Sequence, residues 1–402
     1  MKNIILFDSE VRHQLLPLTF TRPVADLRCG ILTIGRKWEK VLCGQVSHLC
    51  EDYLCEKFPI NIADDNLLIE GSVLPSAALC EKISSLKSGE TLTQQSGLIA
   101  ARLDRNQLLQ FINSRSTINN GTEIEIPVKR VTELWHLFLY NSEELHGDFE
   151  LLTKGRGSEL LSPTNRVIGD HSRIFLEEGA VVECSVLNVK EGPVYLGYGA
   201  EIMEGCMIRG GLALCDHAQL KMGSKIYGAT TLGPNCRGGG EISNSVMLAN
   251  SNKGHDGFLG NSVLGEWCNI GADTNTSNLK NTYEQVKLWS YSQKRFVQTG
   301  QQFVGLIMGD HSKAGINTMF NTGTVVGVAS NIYGAGFPRN FVPSYAWGGH
   351  EGFITHRFEQ AMKTAEIVYG RRKMEFTEKD RQILKHIFEI TAEERVWENA
   401  RV

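Results

Sequence analysis

Residues 196–232 read LGYGAEIMEGCMIRGGLALCDHAQLKMGSKIYGATTL. Every sixth residue is aliphatic: Leu196, Ile202, Ile208, Leu214, Leu220, Ile226 and Leu232. Aliphatic residues make up about a quarter of ordinary sequence, so seven hits on one register are not chance. A period of six does not fit a 3.6-residue helix. It fits a hexapeptide β-helix, with one short strand per six residues and three strands per coil. The aliphatic side chain points into the prism, and Gly, Asn or Asp turn the corners, where positive φ is often required. The pairs and triplets GD at 169, GYG at 197, EGC at 204, GN at 260 and GAD at 271 fall at such corners.

The period extends in both directions. Ile168, Ile174, Ala180 and Val186 precede the central run. Phe258, Leu264 and Ile270 follow it, and then Met308, Ala314, Phe320, Val326 and Ile332. Residues 187–195 add a four-residue offset, residues 233–257 lose the pattern, and residues 277–305 form a long insertion. Insertions in a solenoid project from a corner and commonly build a binding face.

Composition bounds the rest. The chain has 402 residues, 42% of them apolar, enough for two or three domains with sizeable cores. A net charge of −4 gives no reason to expect nucleic acid or an anionic membrane as partner. The start, MKNIILFDSEVRH, carries Asp8 inside its apolar stretch, which argues against a signal peptide. No apolar run reaches the roughly 18 residues of a membrane span. Ten Cys lie scattered without a C-x-x-C pair, which predicts reduced thiols in a cytoplasmic protein and no zinc site.

Three domains are expected: an α/β domain over 1–155, the β-helix over 156–347 and a helical tail over 348–402. In the first, IILF at 4–7 reads as a buried strand, and DNLLIEGSVLPS at 65–76 as a strand ending at Gly71. RKWEKVLCGQ and SGLIAARLDRNQLLQFIN read as helix formers. In the tail, Phe358, Met362, Ala365 and Val368 have helical spacing. A second helix opens with a capping-box-like Thr377 and Asp380, then shows Ile383, Leu384, Ile387 and Phe388 on one face. The charges of this tail read as a solvated face.

Residues 251–278, SNKGHDGFLGNSVLGEWCNIGADTNTSN, place a lone His255 beside an interruption of the repeat. They resemble the segment K-x-G-H-x-x-Y-x-G-x-x-x-x-G-x-x-x-N-I-G-A-G-T-x-x-x-N of the bifunctional family that acetylates glucosamine 1-phosphate and then uridylylates it. The resemblance implies a left-handed β-helix acyltransferase domain, an acetyl-CoA co-substrate and a homotrimer. It implies His255 as general base and the Ala272 N–H as oxyanion donor. An imidazole suits the first role because it is largely neutral at cytosolic pH. Glu241 and Asn269 would touch the sugar, and Asn278 would help hold substrate or the coenzyme A arm. The chain departs from the family at Phe258, where a Tyr is usual, at Asp273, where a Gly is usual, and at Ser243, where a phosphate-binding Lys aligns. Lys225, Arg237 and Lys253 are the nearby cations that could bind substrate in its place.

PLTFTRPV, residues 17–24, is similar to the P-L-T-x-x-x-P-K element of sugar nucleotidyltransferases. Those enzymes precede it with a Gly-rich phosphate loop. Here that place reads FDSEVRHQLL, the catalytic Lys is Val24, and a metal-binding Asp is Ser72. Arg12, Arg22 and Arg28 could supply nucleotide-binding charge and Asp26 a carboxylate. Mg²⁺ is expected only if this domain is active.

The sequence therefore predicts an acetyl-CoA-dependent acyltransferase acting on an amino sugar phosphate or nucleotide sugar, with a degenerate nucleotidyltransferase-like domain. Two alternatives stand beside it. One is a sugar-1-phosphate nucleotidyltransferase that trimerises through the β-helix. The other is a non-catalytic trimeric scaffold or sugar-nucleotide-binding protein.

Overall fold

A computed structural model describes residues 1–95, 97–114 and 121–398. The chain divides into two compact units. The first comprises Met1–Leu15, Thr21–Leu27 and Leu32–Thr132; the second comprises Leu16–Phe20, Arg28–Ile31 and Glu133–Val402.

In the first unit, the apolar run IILF lies within strand Lys2–Phe7 at the heart of a six-stranded sheet. It pairs in parallel with Gly44–Leu49 on one side and Asp65–Glu70 on the other. Helix Ile34–Leu42 packs Ile34, Trp38 and Leu42 inward at four-residue spacing. Thr33 caps its start, and the Trp38 indole N–H donates to the Val73 carbonyl at 2.8 Å. One expectation fails here. Gly97–Asp104 is a strand, antiparallel to Asp65–Glu70, and only Arg105–Ser114 is helical; Ser96 lies outside the described residues. The switch is local chemistry: the Asp104 carboxylate accepts from the Gln107 N–H, and the Gln107 amide oxygen accepts from the Asp104 N–H. That reciprocal cap starts a helix at Arg105, and the buried Ile99, Ala100, Ala101 and Leu103 fit a covered strand.

The second unit is a parallel β-solenoid with three faces. Its sheets run to six, nine and ten strands, and successive short strands step from one sheet to the next. Leu196, Ile202, Ile208, Leu214, Leu220, Ile226 and Leu232 all lie in one continuous buried core. Each fully buried Leu or Ile contributes about 1.5–3 kcal/mol. At the ends the register differs from the sequence reading by one residue. Val167, Leu187 and Leu259 face the core, while Ile168 is exposed and Val186 and Phe258 are only half-buried. Because side chains alternate along a strand, a one-residue shift moves each to the opposite face. The offset at 187–195 is likewise smaller: Leu176 pairs with Leu196, twenty residues on, where Leu196 pairs with Leu214, eighteen on.

Residues 233–257 remain solenoid although their period fails. Leu232 pairs with Met247, fifteen residues on, so the coil is three residues short. Its inward positions include Gly238 and Lys253 in place of aliphatics, and the two pair with each other. The insertion at 277–305 holds an antiparallel hairpin, Lys287–Ser290 with Arg295–Gln298. After the last coil, Ala346–Gly349 turns back on Gly352–Thr355, and helices Phe358–Arg371 and Glu378–Ile390 follow. Thr377 and Asp380 form the full capping box. The buried Tyr345 hydroxyl donates to the Leu384 carbonyl at 2.7 Å, tying the tail to the solenoid.

Candidate functional site

The corner Gly254–Gly257 joins strand Asn252–Lys253 on one face to Phe258–Gly260 on the next. His255 and Asp256 are exposed at its tip. The coil before it turns at Gly239–Gly240, where a Cβ on Gly240 would meet the Asp256 Cα and the His255 and Gly257 carbonyl oxygens at 2.8–2.9 Å. Gly240 also has φ +67°. The corner can stack this closely only because Gly240 lacks a side chain.

In the next coil, the Asp273 N–H donates to the Asp256 carbonyl at 3.0 Å, and the Thr274 N–H closes the turn onto Gly271 at 3.3 Å. Asp273 holds φ +56°. Asp is one of the few residues that tolerate this conformation, so the departure from Gly leaves the corner intact. Ala272 is the first central residue of that turn. Its N–H has no acceptor among the described residues. Rungs of a sheet lie about 4.8 Å apart, so the His255 and Ala272 corners are stacked about one rung apart.

Lys253 belongs under this corner, which corrects its reading as a substrate contact. It is 1% exposed and occupies an inward solenoid position. Its ammonium donates to the His255 carbonyl at 2.5 Å. Burial pushes its pKa down to about 8, while Asp256 and Asp273 favour the charged form.

The remaining residues fall on two outer faces that meet at the corner. On one, Lys225 pairs with Glu241 and Glu241 with Phe258. The Tyr227 hydroxyl donates to the Glu241 carboxylate. On the other, Arg237, Asn252, Asn269 and Lys313 occupy successive rungs. Asn252 donates to the Asn269 amide oxygen at 2.9 Å. Asn278 stands apart. Its amide donates to Asn261, at the far end of strand Phe258–Gly260, at 2.8 Å. Within one chain, Asn278 and His255 are at different corners of the prism. Its neighbours Ser277 and Leu279 line a groove of about 1180 Å³ beside the hairpin, with Trp289, Phe296, Phe341 and Arg339.

The sequence reading missed Lys313, Trp267 and the tail residues Arg371 and Arg372, which line a second cavity of about 510 Å³ together with Arg237, Asn252 and Asn269. The only sequence signal was the doublet Arg371-Arg372 at the end of an amphipathic helix. Reading it as solvated surface was wrong for Arg372, which is half-buried.

In the first unit, Asp8, Ser9, Gly71 and Ser72 follow the carboxyl ends of two adjacent parallel strands, where open α/β sheets bind ligands. Burial raises the Asp8 pKa to about 7, against the Val24 N–H bond at 2.9 Å and the Arg12 guanidinium at 3.6 Å. Glu70 accepts from Ser9 at 2.7 Å and from the Ser72 hydroxyl, and pairs with Arg130 at 3.2 Å. Arg12 and Arg22 are buried against Asp8 and Asp26. Arg28 does not join them. It counts with the second unit, where it donates to the Ile31 carbonyl and meets the Cys215 sulfur at 3.5 Å. These groups do not suit Mg²⁺. Glu70 is already held by a guanidinium and two hydroxyls, Asp8 is pushed toward its neutral form, and Ser72 offers only a hydroxyl. Among the described residues no cluster of three or more His, Cys, Asp or Glu could hold a metal. None of their helices is long and apolar enough to cross a membrane.

Comparison with known proteins bears on both units. Residues 4–157 match the family described as sugar nucleotidyl transferase. The bifunctional protein GlmU of Methanocaldococcus jannaschii is 36% identical over 87 residues, 22% of this chain and 21% of that one. A bifunctional sugar-1-phosphate nucleotidylyltransferase/acetyltransferase of Sulfurisphaera tokodaii is 32% identical over 93 residues, 23% of each chain. GlmU of Cupriavidus pinatubonensis is 27% identical over 177 residues, 39% of each. The matched stretch thus spans about a fifth to two-fifths of these relatives. Among solved structures, the polySia-specific acetyltransferase NeuO aligns over 48% of this chain and 87% of its own, at 15% identity and a TM-score of 0.29. LpxA, a UDP-N-acetylglucosamine acyltransferase from Bacteroides fragilis, aligns over 59% and 81%, at 13% identity and a TM-score of 0.24. The N-terminal residues 4–157 are thus similar to sugar nucleotidyl transferases, and part of the chain is similar to bifunctional GlmU proteins.

Proposed function

We propose that this protein is a coenzyme-A-dependent acyltransferase acting on an amino or hydroxyl group of a sugar phosphate or nucleotide sugar. One observation carries the reading: an exposed imidazole, His255, stands one rung from a corner amide, Ala272, that has no acceptor among the described residues. A thioester carbonyl seated in that gap would have a base on one side and an oxyanion donor on the other. His255 takes the proton from the acceptor as its nitrogen or oxygen attacks the carbonyl carbon. The oxygen of the tetrahedral intermediate takes the Ala272 N–H as donor. Collapse expels the thiolate of coenzyme A, and the imidazolium returns the proton to it. Glu241 and Lys225 on one flank, and Arg237 and Asn269 on the other, are then the acceptor's binding walls. Two relatives bearing the words bifunctional and acetyltransferase or GlmU in their names support the same class.

The N-terminal unit, in this reading, binds a sugar nucleotide without transferring it. Glu70, the carboxylate beside Ser72, is already paired with Arg130 and accepts from the Ser72 hydroxyl, which makes it a poor metal ligand.

The test is a thiol-release assay with acetyl-CoA over a panel of amino sugars and sugar phosphates. With an active acceptor in hand, His255→Ala lowers the rate by roughly 10² to 10⁴, the usual worth of a positioned base. Its thermal transition stays near that of the wild type, since the side chain is exposed. Full rate in His255→Ala would remove the imidazole from the mechanism.

A further inference from the structure

The helix Phe358–Arg371 begins beside Tyr345 in the last coil and runs back along one solenoid face. Tyr369 stacks on Trp267 with ring centroids 3.9 Å apart and planes 20° apart, and His311 lies parallel to it. Both stacked rings are buried, Trp267 to 3% and Tyr369 to 6% exposure. Eleven residues of helix from Phe358 to Tyr369 span about 16 Å, close to the three rungs, about 14 Å, between those coils. This anchor fixes the end of the helix over the outward column Arg237, Asn252, Asn269 and Lys313, and the two together enclose the 510 Å³ cavity.

Four cations line that cavity: Arg237, Lys313, Arg371 and Arg372. Among the described residues none of the four has a carboxylate partner. Arg237 donates only to the neutral Gln219 amide, and Lys313 only to the His311 carbonyl, at 2.9 Å. The charges oppose one another. Burial lowers the Arg372 pKa, and Arg237 and Arg371 lower it further. Lys221 at the margin is lowered by burial and then by Arg237, with Glu201 acting the other way. Surface arginines commonly scatter or pair. Four cations converging without an anion form a charge deficit that a ligand would fill.

We propose that this cavity is a binding site for a phosphoryl or pyrophosphoryl group, with Arg237 and Lys313 on the solenoid wall and Arg371 and Arg372 on the tail helix. Its position relates it to the corner. Asn252 precedes His255 by three residues and Asn269 precedes Ala272 by three, so both polar rungs run from the cavity to the acyl-transfer gap. A molecule whose phosphate sits here extends toward His255. The molecule could be the acceptor, through its sugar phosphate or diphosphate, or the donor, through the pyrophosphate of coenzyme A. Only that choice rests on the acyl-transfer reading; anion binding does not.

Calorimetry of the full-length protein, without any acyl donor, tests it. The probes are inorganic pyrophosphate, coenzyme A, pantetheine, glucosamine 1-phosphate and UDP-N-acetylglucosamine. Pyrophosphate binds the wild type, and binding weakens with added salt. Arg371→Ala/Arg372→Ala weakens it about 10- to 100-fold, the loss of one or two charge-assisted hydrogen bonds. Arg237→Gln, on the opposite wall and remote from the tail's fold, weakens it to a similar degree. Binding of coenzyme A but not pantetheine, lost in both variants, assigns the site to the donor. The same pattern for the sugar phosphate or nucleotide sugar assigns it to the acceptor. No binding of any phosphate-bearing probe at millimolar concentration overturns the proposal. So does unchanged affinity in both variants. If anions bind as described but His255→Ala keeps full rate, the acyl-transfer reading fails and this one stands.

Discussion

Replacing Lys253 with Met tests how the corner beneath His255 is held. A lysine in an inward solenoid position is costly because its ammonium is taken out of water. The cost shows as a pKa pushed down by burial to about 8 in the fold, against 10.5 for the free side chain. The folded state resists the proton, so the unfolded chain binds more protons between pH 8 and 10.5. Stability therefore rises with pH across that window. The cost is fully present below pH 8 and fades as pH approaches 10.5. With those two values, the wild type gains about 2.5 kcal/mol between pH 7 and pH 10 from this group, as an upper bound. Lys253→Met has nearly the same length, keeps the inward position apolar and titrates nothing there. Urea denaturation of both proteins at pH 7, 8.5 and 10, followed by circular dichroism, reads the difference directly. The wild type gains relative to the variant as pH rises, most steeply between 8.5 and 10. At pH 7 the variant is within about 1–2 kcal/mol of the wild type. Relief of the buried charge offsets loss of the bond to the His255 carbonyl, itself worth about 1.5–3 kcal/mol. Acyl transfer falls in kcat with little change in KM, because the corner carrying His255 loses its anchor while the binding walls are untouched. A difference in stability independent of pH would refute the account of Lys253 as a desolvated ammonium. An unchanged kcat would refute its positioning role.

Three further outcomes follow from other parts of the fold. Gly240→Ala destabilises by about 2–4 kcal/mol and lowers acyl transfer, because its Cβ strikes the His255 corner and its φ is left-handed. Gly223→Ala, at φ +71° with open space around it, costs only about 1–2 kcal/mol; equal effects in urea titrations would dismiss the packing argument. Nucleotidyl transfer, read as pyrophosphate release with Mg²⁺ and any sugar 1-phosphate, is at least 100-fold below that of an intact relative, about 2.7 kcal/mol of transition-state stabilisation. Ordinary rates would overturn the binding-only role of the first unit. In light scattering the protein is a homotrimer across micromolar concentrations, and a particle near 44.7 kDa would exclude that assembly.

The sequence by itself determined the solenoid, because a prism interior accepts only one residue in six and the aliphatic series from Leu196 to Leu232 meets that demand. It also determined the capped second tail helix and the place of His255 at a corner. These are local or periodic properties, written in neighbouring residues. What it could not determine depends on which way a side chain turns and what lies across from it. Phe258 and Leu259 are both apolar, and only the strand's pairing with Glu241–Ser243 turns Leu259 into the core. GLIAARLD reads as helix until pairing with Asp65–Glu70 makes it a strand. Lys253 looks like any surface lysine until the fifteen-residue coil puts it on the inward column above Gly238. Arg371 and Arg372 lie about a hundred and thirty residues from Arg237. They reach the same cavity only because Tyr369 stacks on Trp267 and lays the tail helix along the face that carries Arg237. Charge convergence across such distances is a property of packing, since no local sequence pattern encodes which ends of a chain will meet.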